Sequence, residues 1–232
     1  MTKREQILLD LMNSKEKLRK KDILILKKLI FQSDVNLQNK FKENMLMCFL
    51  YHWHHQFSLK KDEWDYLLKN TDLKMKDDEG LTVLMYIFTN GEKYKFTISE
   101  EDLNYLIDHS DINQKNKVGY NAFMYYLIHQ PQNINMNPNQ IKKMYNHLYE
   151  EEKQKTFNEM IYYFSRGDKE KYHKIIKMFL YDLDFRCTKN TMKWLENDQY
   201  KEVTDHIEKR NLYFSLKNHL SEEKTEKKAL KI

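Results

Sequence analysis

The sequence predicts an all-α fold built from helix pairs that are joined by short loops. The 232 residues include only four Gly and two Pro, and turn-dense sandwiches, barrels and Gly-rich nucleotide-binding loops need more of both. Hydrophobic residues make up 41% and aromatic residues 13% of the chain, which is typical of a globular protein. Apolar residues also recur at helical spacing, as at Leu103, Leu106 and Ile107, on one face of a predicted helix.

The charge and cysteine content favour a protein that works in a cytosol. The net charge is +5, from 40 Lys+Arg against 35 Asp+Glu, with both signs interspersed, whereas a nucleic-acid binder more often concentrates its positive charge on one face. The two cysteines have no metal-ligand spacing and form no disulfide framework. The polar start resembles no signal peptide. The longest apolar runs are far short of about 18 residues, so we expect no membrane partner.

A feature of about 39 residues recurs three times in the chain. Asp34, Asp72 and Asp111 are 38 and 39 positions apart, and each is followed by an aliphatic residue. The positions that recur at fixed offsets after the Asp are Lys42, Gly80 and Gly119, then Asn44, Thr82 and Asn121, then Leu46, Leu84 and Phe123, and then Met47, Met85 and Met124. Such self-similarity is the sequence signature of a repeat architecture.

The second repeat shows how each unit is expected to fold. Residues 72–79 are polar and too few for a stable helix, so they predict a loop, which we call a finger. Gly80 ends the finger where the backbone needs a positive φ, and Thr82 caps the inner helix that follows at 83–88. Ser99 begins an outer helix whose first turn is acidic. In the third repeat, Asn137 before Pro138 predicts the corresponding helix start.

This finger, helix, loop, helix order resembles the ankyrin repeat. The run "DDEGLTVLMYIF" carries Asp77, Gly80, Thr82 and Leu84 at positions of the family pattern, and "YLIDHSDIN" resembles its ending. The Pro of the pattern is replaced by Val83, for example, and its His is Met in every repeat. The resemblance covers about residues 22–148. It implies an ankyrin-like helical solenoid of five to six helix pairs with short finger loops.

The predicted organisation has seven parts. They are an N-terminal capping helix pair at 1–33, repeats at 34–71, 72–110 and 111–150, a degenerate repeat at 151–181, C-terminal capping helices at 182–220 and a disordered tail at 221–232. Terminal repeats are expected to be atypical, because one of their faces meets water.

The run "CFLYHWHH" is the strongest candidate for chemistry. Cys48 and His52 are four residues apart and could share a helix face with His55, as in a metal site, or could form a Cys–His nucleophilic pair. The alternative is that the helix ends first and leaves His52, His54 and His55 in a loop. We favour the loop, because no second cluster completes a metal site and no third group orients the pair. We expect no cofactor and no small-molecule substrate.

The resemblance implies a partner-binding surface on the fingers and on the exposed side of the inner helices. Exposed aromatic residues there would anchor a protein interface. The residues that it places on this surface are Glu43, Leu81 and Tyr120 after the turn position, Cys48, Tyr86 and Tyr125 after the Met, and Phe41, Asp78, Glu79 and Lys117 at the fingertips.

The function that the sequence favours is a non-enzymatic protein-interaction module. Two settings fit it, a bacterial or viral effector that acts on a host protein, and an immunity protein that blocks a toxin. An enzyme with its site after residue 149 is an alternative, with His173, Asp182 and Asp184 as candidates. A helix surface explains the first of these and a finger explains the other two. Nucleic-acid binding through the basic residues at 15–28 ranks last.

Overall fold

The computed structural model describes residues 1–14, 16–90, 98–129, 134, 136–165 and 169–179, with single positions at 183, 185, 205, 208, 209, 212, 213 and 215. Within these residues the secondary structure is helical and includes no strand, so the all-α prediction is confirmed for the described chain. The chain divides into two compact parts, Met1–Glu152 and Lys153–Ile232. The expected C-terminal caps and tail lie almost entirely outside the described residues.

Helices follow one another along the described chain with short connections. They are α1 (Lys3–Asn13), α2 (Lys20–Ile30), α3 (Met45–Cys48) continued by a π-helical segment (Phe49–Trp53), α4 (Lys61–Asn70), α5 (Val83–Asn90), α6 (Glu100–His109), α7 (Ala122–His129), α8 (Pro138–His147), α9 (Glu150–Ser165) and α10 (Lys169–Lys177).

The N-terminal helices α1 and α2 pack on each other, as the sequence predicts. Thr2 accepts a hydrogen bond from the Glu5 backbone N–H, and the Glu5 carboxylate accepts one from the Thr2 N–H, which forms a capping box. This arrangement satisfies two of the backbone donors that a helix start leaves open. Helix α2 also packs against α4, where Lys27 forms an ion pair with the buried carboxylate of Glu63 at 2.8 Å.

The inner helices α3, α5 and α7 form the core of the first part. Their side chains are apolar on almost every face and are buried, as in Met47, Met85 and Met124, each 0% exposed. Helix α5 packs against both α3 and α7, which explains why it is apolar all round. The predicted cap is confirmed, because the Thr82 hydroxyl accepts from the Met85 N–H at 3.4 Å.

The outer helices α4, α6 and α8 are amphipathic and start at polar caps. The predicted starts at Ser99 and Asn137 are confirmed, since both side chains accept a backbone N–H of the first helical turn. Asn137 also forms a capping box with Gln140, and Pro138 lies at the first helical position. Helices α6 and α8 pack together, as do α2 and α4.

The first inner helix is longer than the sequence analysis expected. It continues through the π-helical segment Phe49–Trp53, where the His54 N–H donates to the Phe49 carbonyl at 2.9 Å. The expectation that the helix ends before His52 was therefore wrong. A π-helical turn accommodates an extra residue in a helix and is frequent at functional sites.

Asparagine side chains connect successive repeats near the ends of the outer helices. Asn36 accepts from the Asp72 N–H at 2.6 Å and donates to the Asn70 carbonyl at 3.0 Å. Asn113 makes the same two bonds two junctions further on, to Tyr149 and His147. The hydroxyls before the repeat Asp, those of Ser33, Thr71 and Ser110, are buried and have no hydrogen-bond partner in the described structure.

Aromatic side chains pack against one another in the part of the chain after Glu152. Helix α9 continues to Ser165, and Phe157 and Phe179, each 0% exposed, place their ring centroids 5.1 Å apart. Phe185 adds a third ring at 4.4 Å from Phe157. Asp182, Asp184 and the side chain of His173, considered above as catalytic candidates, lie outside what the structure describes.

Candidate functional site

The three fingers (residues 34–44, 72–82 and 111–121) share one internal hydrogen-bond pattern. A side-chain oxygen in the middle of each finger accepts two backbone N–H groups, located two and four residues later. Asp77 Oδ1, for example, accepts from Glu79 at 2.9 Å and from Leu81 at 2.7 Å. The residues that do this are Asn39, Asp77 and Asn116. Short Asx side chains bond readily to the backbone that follows them, so this position closes each finger.

A residue with a left-handed backbone conformation completes each finger, which confirms the positive φ predicted at Gly80. The φ angles are +59° at Lys42, +80° at Gly80 and +92° at Gly119. Glycine adopts this region without a Cβ penalty, and Lys42 adopts it with one. At Gly80 there is a second constraint, because a Cβ would lie 2.9 Å from Asn116 Cα in the next finger.

Backbone hydrogen bonds connect the fingertips into a row. The Asp78 N–H donates to the Phe41 carbonyl and the Lys117 N–H to the Glu79 carbonyl, both at 2.9 Å. Exposed ion pairs accompany them, with Lys117 Nζ 3.2 Å from Glu79. Ion pairs as exposed as these contribute little to stability. The backbone bonds therefore fix the tips relative to one another.

A cluster of polar side chains is buried behind the first finger. The Glu43 carboxylate, 4% exposed, accepts from Asn39 Nδ2 at 2.8 Å and lies 3.2 Å from His52 Nε2. The Cys48 thiol donates weakly to Glu43 at 3.8 Å. The π-helical segment brings His52 beside Glu43, so this segment forms part of the site.

Tyr86 connects this cluster to the second finger. Its hydroxyl donates to Asp77 Oδ2 at 2.6 Å and lies 3.2 Å from Glu43 Oε1. A hydroxyl has one proton to donate, so the two carboxylates share one donor, and the shorter bond goes to Asp77. The ring of Tyr51 packs edge-on against Tyr86 at 5.6 Å.

The two carboxylates ionise differently because their surroundings differ. Burial disfavours the charge on Glu43, but the hydrogen bonds from His52 and Asn39 outweigh it and hold the pKa of Glu43 below its ordinary value. Burial dominates at Asp77 and raises its pKa, although Tyr86 and backbone N–H groups stabilise its charge. Burial and the neighbouring carboxylates also raise the pKa of Tyr86.

The structure corrects the expected exposure of three predicted site residues. Tyr86 is 4% exposed, Glu43 4% and Cys48 0%, so none of them offers a surface to a partner. Their polar atoms bond to one another within the cluster, which removes them from water. The expectation assumed that inner-helix residues after the Met face outward. It did not account for a tyrosine hydroxyl that donates to the half-buried Asp77 carboxylate beside the buried Glu43 carboxylate.

The other predicted residues remain accessible. Phe41, Asp78, Leu81, Tyr120 and Tyr125 are partly exposed, and Glu79 and Lys117 are exposed. Tyr51, 50% exposed, and Val118, 71% exposed, extend the same region. We call the accessible apolar part of it the finger–helix surface, which consists of Phe41, Tyr51, Leu81, Val118, Tyr120 and Tyr125.

Tyr125 occupies the position in the third repeat that Tyr86 occupies in the second. Its hydroxyl accepts from Asn116 Nδ2 at 2.8 Å, and its ring packs against Tyr120 at 6.4 Å and His129 at 5.6 Å. A neutral amide faces it instead of two carboxylates. Burial raises the pKa of Tyr125, but its ring edge stays within reach of a partner.

Two residues of the cysteine and histidine run, Cys48 and His52, belong to the polar cluster around Glu43. Among the residues that the structure describes, no three His, Cys, Asp or Glu side chains are arranged to hold a metal ion. Burial first, and then the Glu43 charge, raise the pKa of the Cys48 thiol well above its ordinary value, whereas a nucleophilic cysteine needs a stabilised thiolate.

Sequence reasoning missed two parts of the site. It quoted Asp77 without the matching Asn39 and Asn116, although all three lie five residues after the repeat Asp, and that recurrence was a usable signal. It also missed Tyr51 and expected His52 in a loop, because no sequence pattern marks a π-helical turn.

The comparisons with known proteins leave the chain without an assigned family. No model of a protein family matches it, and no curated protein is significantly similar to it. No described helix is both long and apolar enough to cross a membrane.

Proposed function

We propose that this chain is a non-enzymatic protein-interaction module of the ankyrin type, and that it binds a partner protein in a cytosol through the finger–helix surface. The observation that carries the proposal is the row of fingertips connected by backbone hydrogen bonds from Asp78 to Phe41 and from Lys117 to Glu79. A surface that is ordered before binding loses less conformational entropy when the partner docks.

The composition of this surface supports the proposal. Tyr51, Tyr120 and Tyr125 present aromatic rings, and Val118 is 71% exposed. Tyrosine is enriched among the residues that contribute most to protein interfaces, since its ring buries a large area and its hydroxyl bonds to polar groups. Charged residues at the edge, Glu79 and Lys117, suit a polar rim around an apolar centre.

The test compares surface variants in capture and in binding. The purified wild type would capture a partner from lysate, and the partner would then be purified and its Kd measured against Val118→Asp and Tyr125→Ala. The matched control is Leu24→Asp, because Leu24 is 64% exposed on α2, away from the fingers. We expect the first two variants to weaken binding about tenfold or more and the control to leave it unchanged.

Equal binding by all three variants would exclude the finger–helix surface. The identity of a captured partner separates the two settings, since a host protein indicates an effector and a toxin indicates an immunity protein.

A further inference from the structure

A cavity of about 670 Å³ lies between the second and third repeats, beside the ends of their outer helices. Its walls are formed by residues 71–74 and 108–113 together with Tyr105, His147 and Tyr149. It shares no residue with the finger–helix surface. Its volume lies in the range of sites that hold small molecules or single side chains of a partner.

The side chains at equivalent positions of the described junctions differ, and this difference accounts for the opening at the middle one. At the preceding junction Phe31 packs on Tyr66, with ring centroids 4.9 Å apart. At the following junction the equivalent positions are Asp108 and Lys143, which form an ion pair at 2.5 Å. At the middle junction they are Lys69 and Tyr105, which form no hydrogen bond or ring contact with each other in the described structure.

Three aspartates and a single lysine, Lys74, line the cavity, so the carboxylates outnumber the ammonium group. Asp72 and Asp111 line it, and neither forms an ion pair within the described chain. Each uses Oδ1 to accept the N–H two residues later, from Lys74 at 3.0 Å and from Asn113 at 3.1 Å. The second oxygen of each carboxylate remains available.

Aromatic rings and buried hydroxyls complete the walls. Tyr105 stacks on His109 with centroids 3.9 Å apart, and Tyr149 is 62% exposed. Thr71 and Ser110, 7% and 8% exposed, also line the cavity. Their hydroxyls have no hydrogen-bond partner in the described structure, and a buried polar group without a partner is destabilising.

We propose that this cavity binds an arginine side chain from a basic segment of a partner protein. The guanidinium is planar, so it stacks on aromatic faces such as that of Tyr149 while its N–H groups donate to carboxylates such as Asp72 and Asp111. A lysine ammonium would pair with the carboxylates but would use the rings less well.

The test uses the full chain and three short peptides. The peptides are acetyl-Gly-Gly-Xaa-Gly-Gly-amide with Xaa as arginine, lysine or citrulline, the uncharged shape analogue of arginine. Backbone amide NMR signals would be followed during titration. We expect the arginine peptide to shift the signals of residues 71–74 and 108–113 saturably and to bind about threefold more tightly than the lysine peptide. We expect the citrulline peptide to cause no saturable shift.

Substitutions test the charges of the two carboxylates separately from the turns that these side chains close. Asp72→Asn with Asp111→Asn removes both charges but keeps the oxygen that closes each turn. The matched control is Asp34→Asn, because Asp34 makes the same turn contact to Asn36 at 2.9 Å outside the cavity. We expect the double variant to weaken arginine binding about fivefold and the control to leave it unchanged.

Three results would overturn the proposal. They are equal binding of arginine and citrulline, equal weakening by Asp34→Asn, and shifts that map elsewhere than to the cavity. If the double variant does not fold, Asp72→Asn alone replaces it. The finger–helix surface is tested by other residues, so failure of one proposal leaves the other standing.

Discussion

The Tyr86 hydroxyl donates to Asp77 Oδ2 at 2.6 Å across nine residues of sequence. The same nine-residue spacing connects Asn39 to Cys48 and Asn116 to Tyr125. Each finger is thus joined to the inner helix that follows it by one side-chain contact. Of these three contacts, only that in the second repeat is made by a carboxylate. The Glu43 carboxylate lies beside it and also beside the contact between Asn39 and Cys48.

Replacing Tyr86 with Phe should destabilise the fold by about 1–3 kcal/mol, because the buried Glu43 carboxylate and the half-buried Asp77 carboxylate lose their shared donor. Urea denaturation at neutral pH measures the change. The matched control is Tyr125→Phe, whose hydroxyl is less buried and faces the neutral Asn116 amide. Its expected loss is about 1 kcal/mol or less. Equal losses in the two variants would show that the carboxylates near Tyr86 do not increase the stability lost when its hydroxyl is removed.

The Glu43→Gln variant should show a defect that depends on pH. The pKa of Glu43 is lowered in the folded state from an ordinary value of 4.5, so its charge stabilises the fold above that pH. This contribution is lost as the pH falls through the folded pKa. We expect the variant to be about 2 kcal/mol less stable at neutral pH and to approach the wild type in acid. A deficit that does not vary with pH would contradict this.

Asp77→Asn should behave in the opposite way. The pKa of Asp77 is raised from 3.8 in the folded state, so the wild type loses stability as the pH rises through that folded value. Asn39 and Asn116 show that an amide closes a finger equally well. We expect the free energy of unfolding of the variant to lie within about 1 kcal/mol of that of the wild type. The stability of the variant relative to the wild type should increase as the pH rises from acid to neutral.

Denaturant titrations of Asp77→Asn and Glu43→Gln over one pH series test both directions. A relative gain of Asp77→Asn in acid rather than at neutral pH would refute the assignment of the raised pKa to Asp77.

Two substitutions at the left-handed finger position should have opposite effects. Gly80→Ala should destabilise the fold by about 2 kcal/mol or more, because it combines a positive φ with a Cβ contact to Asn116. Lys42→Gly should stabilise it by about 1 kcal/mol, because Lys42 already has a φ of +59°. Thermal unfolding measures both, and a loss of stability in Lys42→Gly would count against strain at that position.

Local rules predicted the parts of the fold that depend on a few neighbouring residues. Gly80 has a positive φ, and Ser99 and Asn137 begin helices, because turn and cap chemistry acts within about four residues. The packing of the inner helices against one another could also be predicted, because a helix that is apolar all round must be covered on both faces.

The accessible part of the candidate site was harder to predict for a physical reason. Whether Tyr86 is exposed depends on Asp77 in its own finger and on Glu43 in the preceding one. These partners meet only after the repeats pack, so a single-repeat pattern assigns the wrong exposure. The π-helical segment that places His52 beside Glu43 has no sequence pattern of its own.

The asparagine contacts between repeats are missing at one junction. Asn36 and Asn113 connect their repeats to the next, but the equivalent residue of the second repeat is Lys74, which makes no such bonds in the described chain. The same junction is held on its other side by the packing of α5 against α7 and by the Lys117 N–H on Glu79. We therefore expect bending of this part of the chain to concentrate at this junction, which lacks the asparagine bonds of its neighbours but keeps the hydrogen bond from Trp64 Nε1 to Asp102 at 3.1 Å.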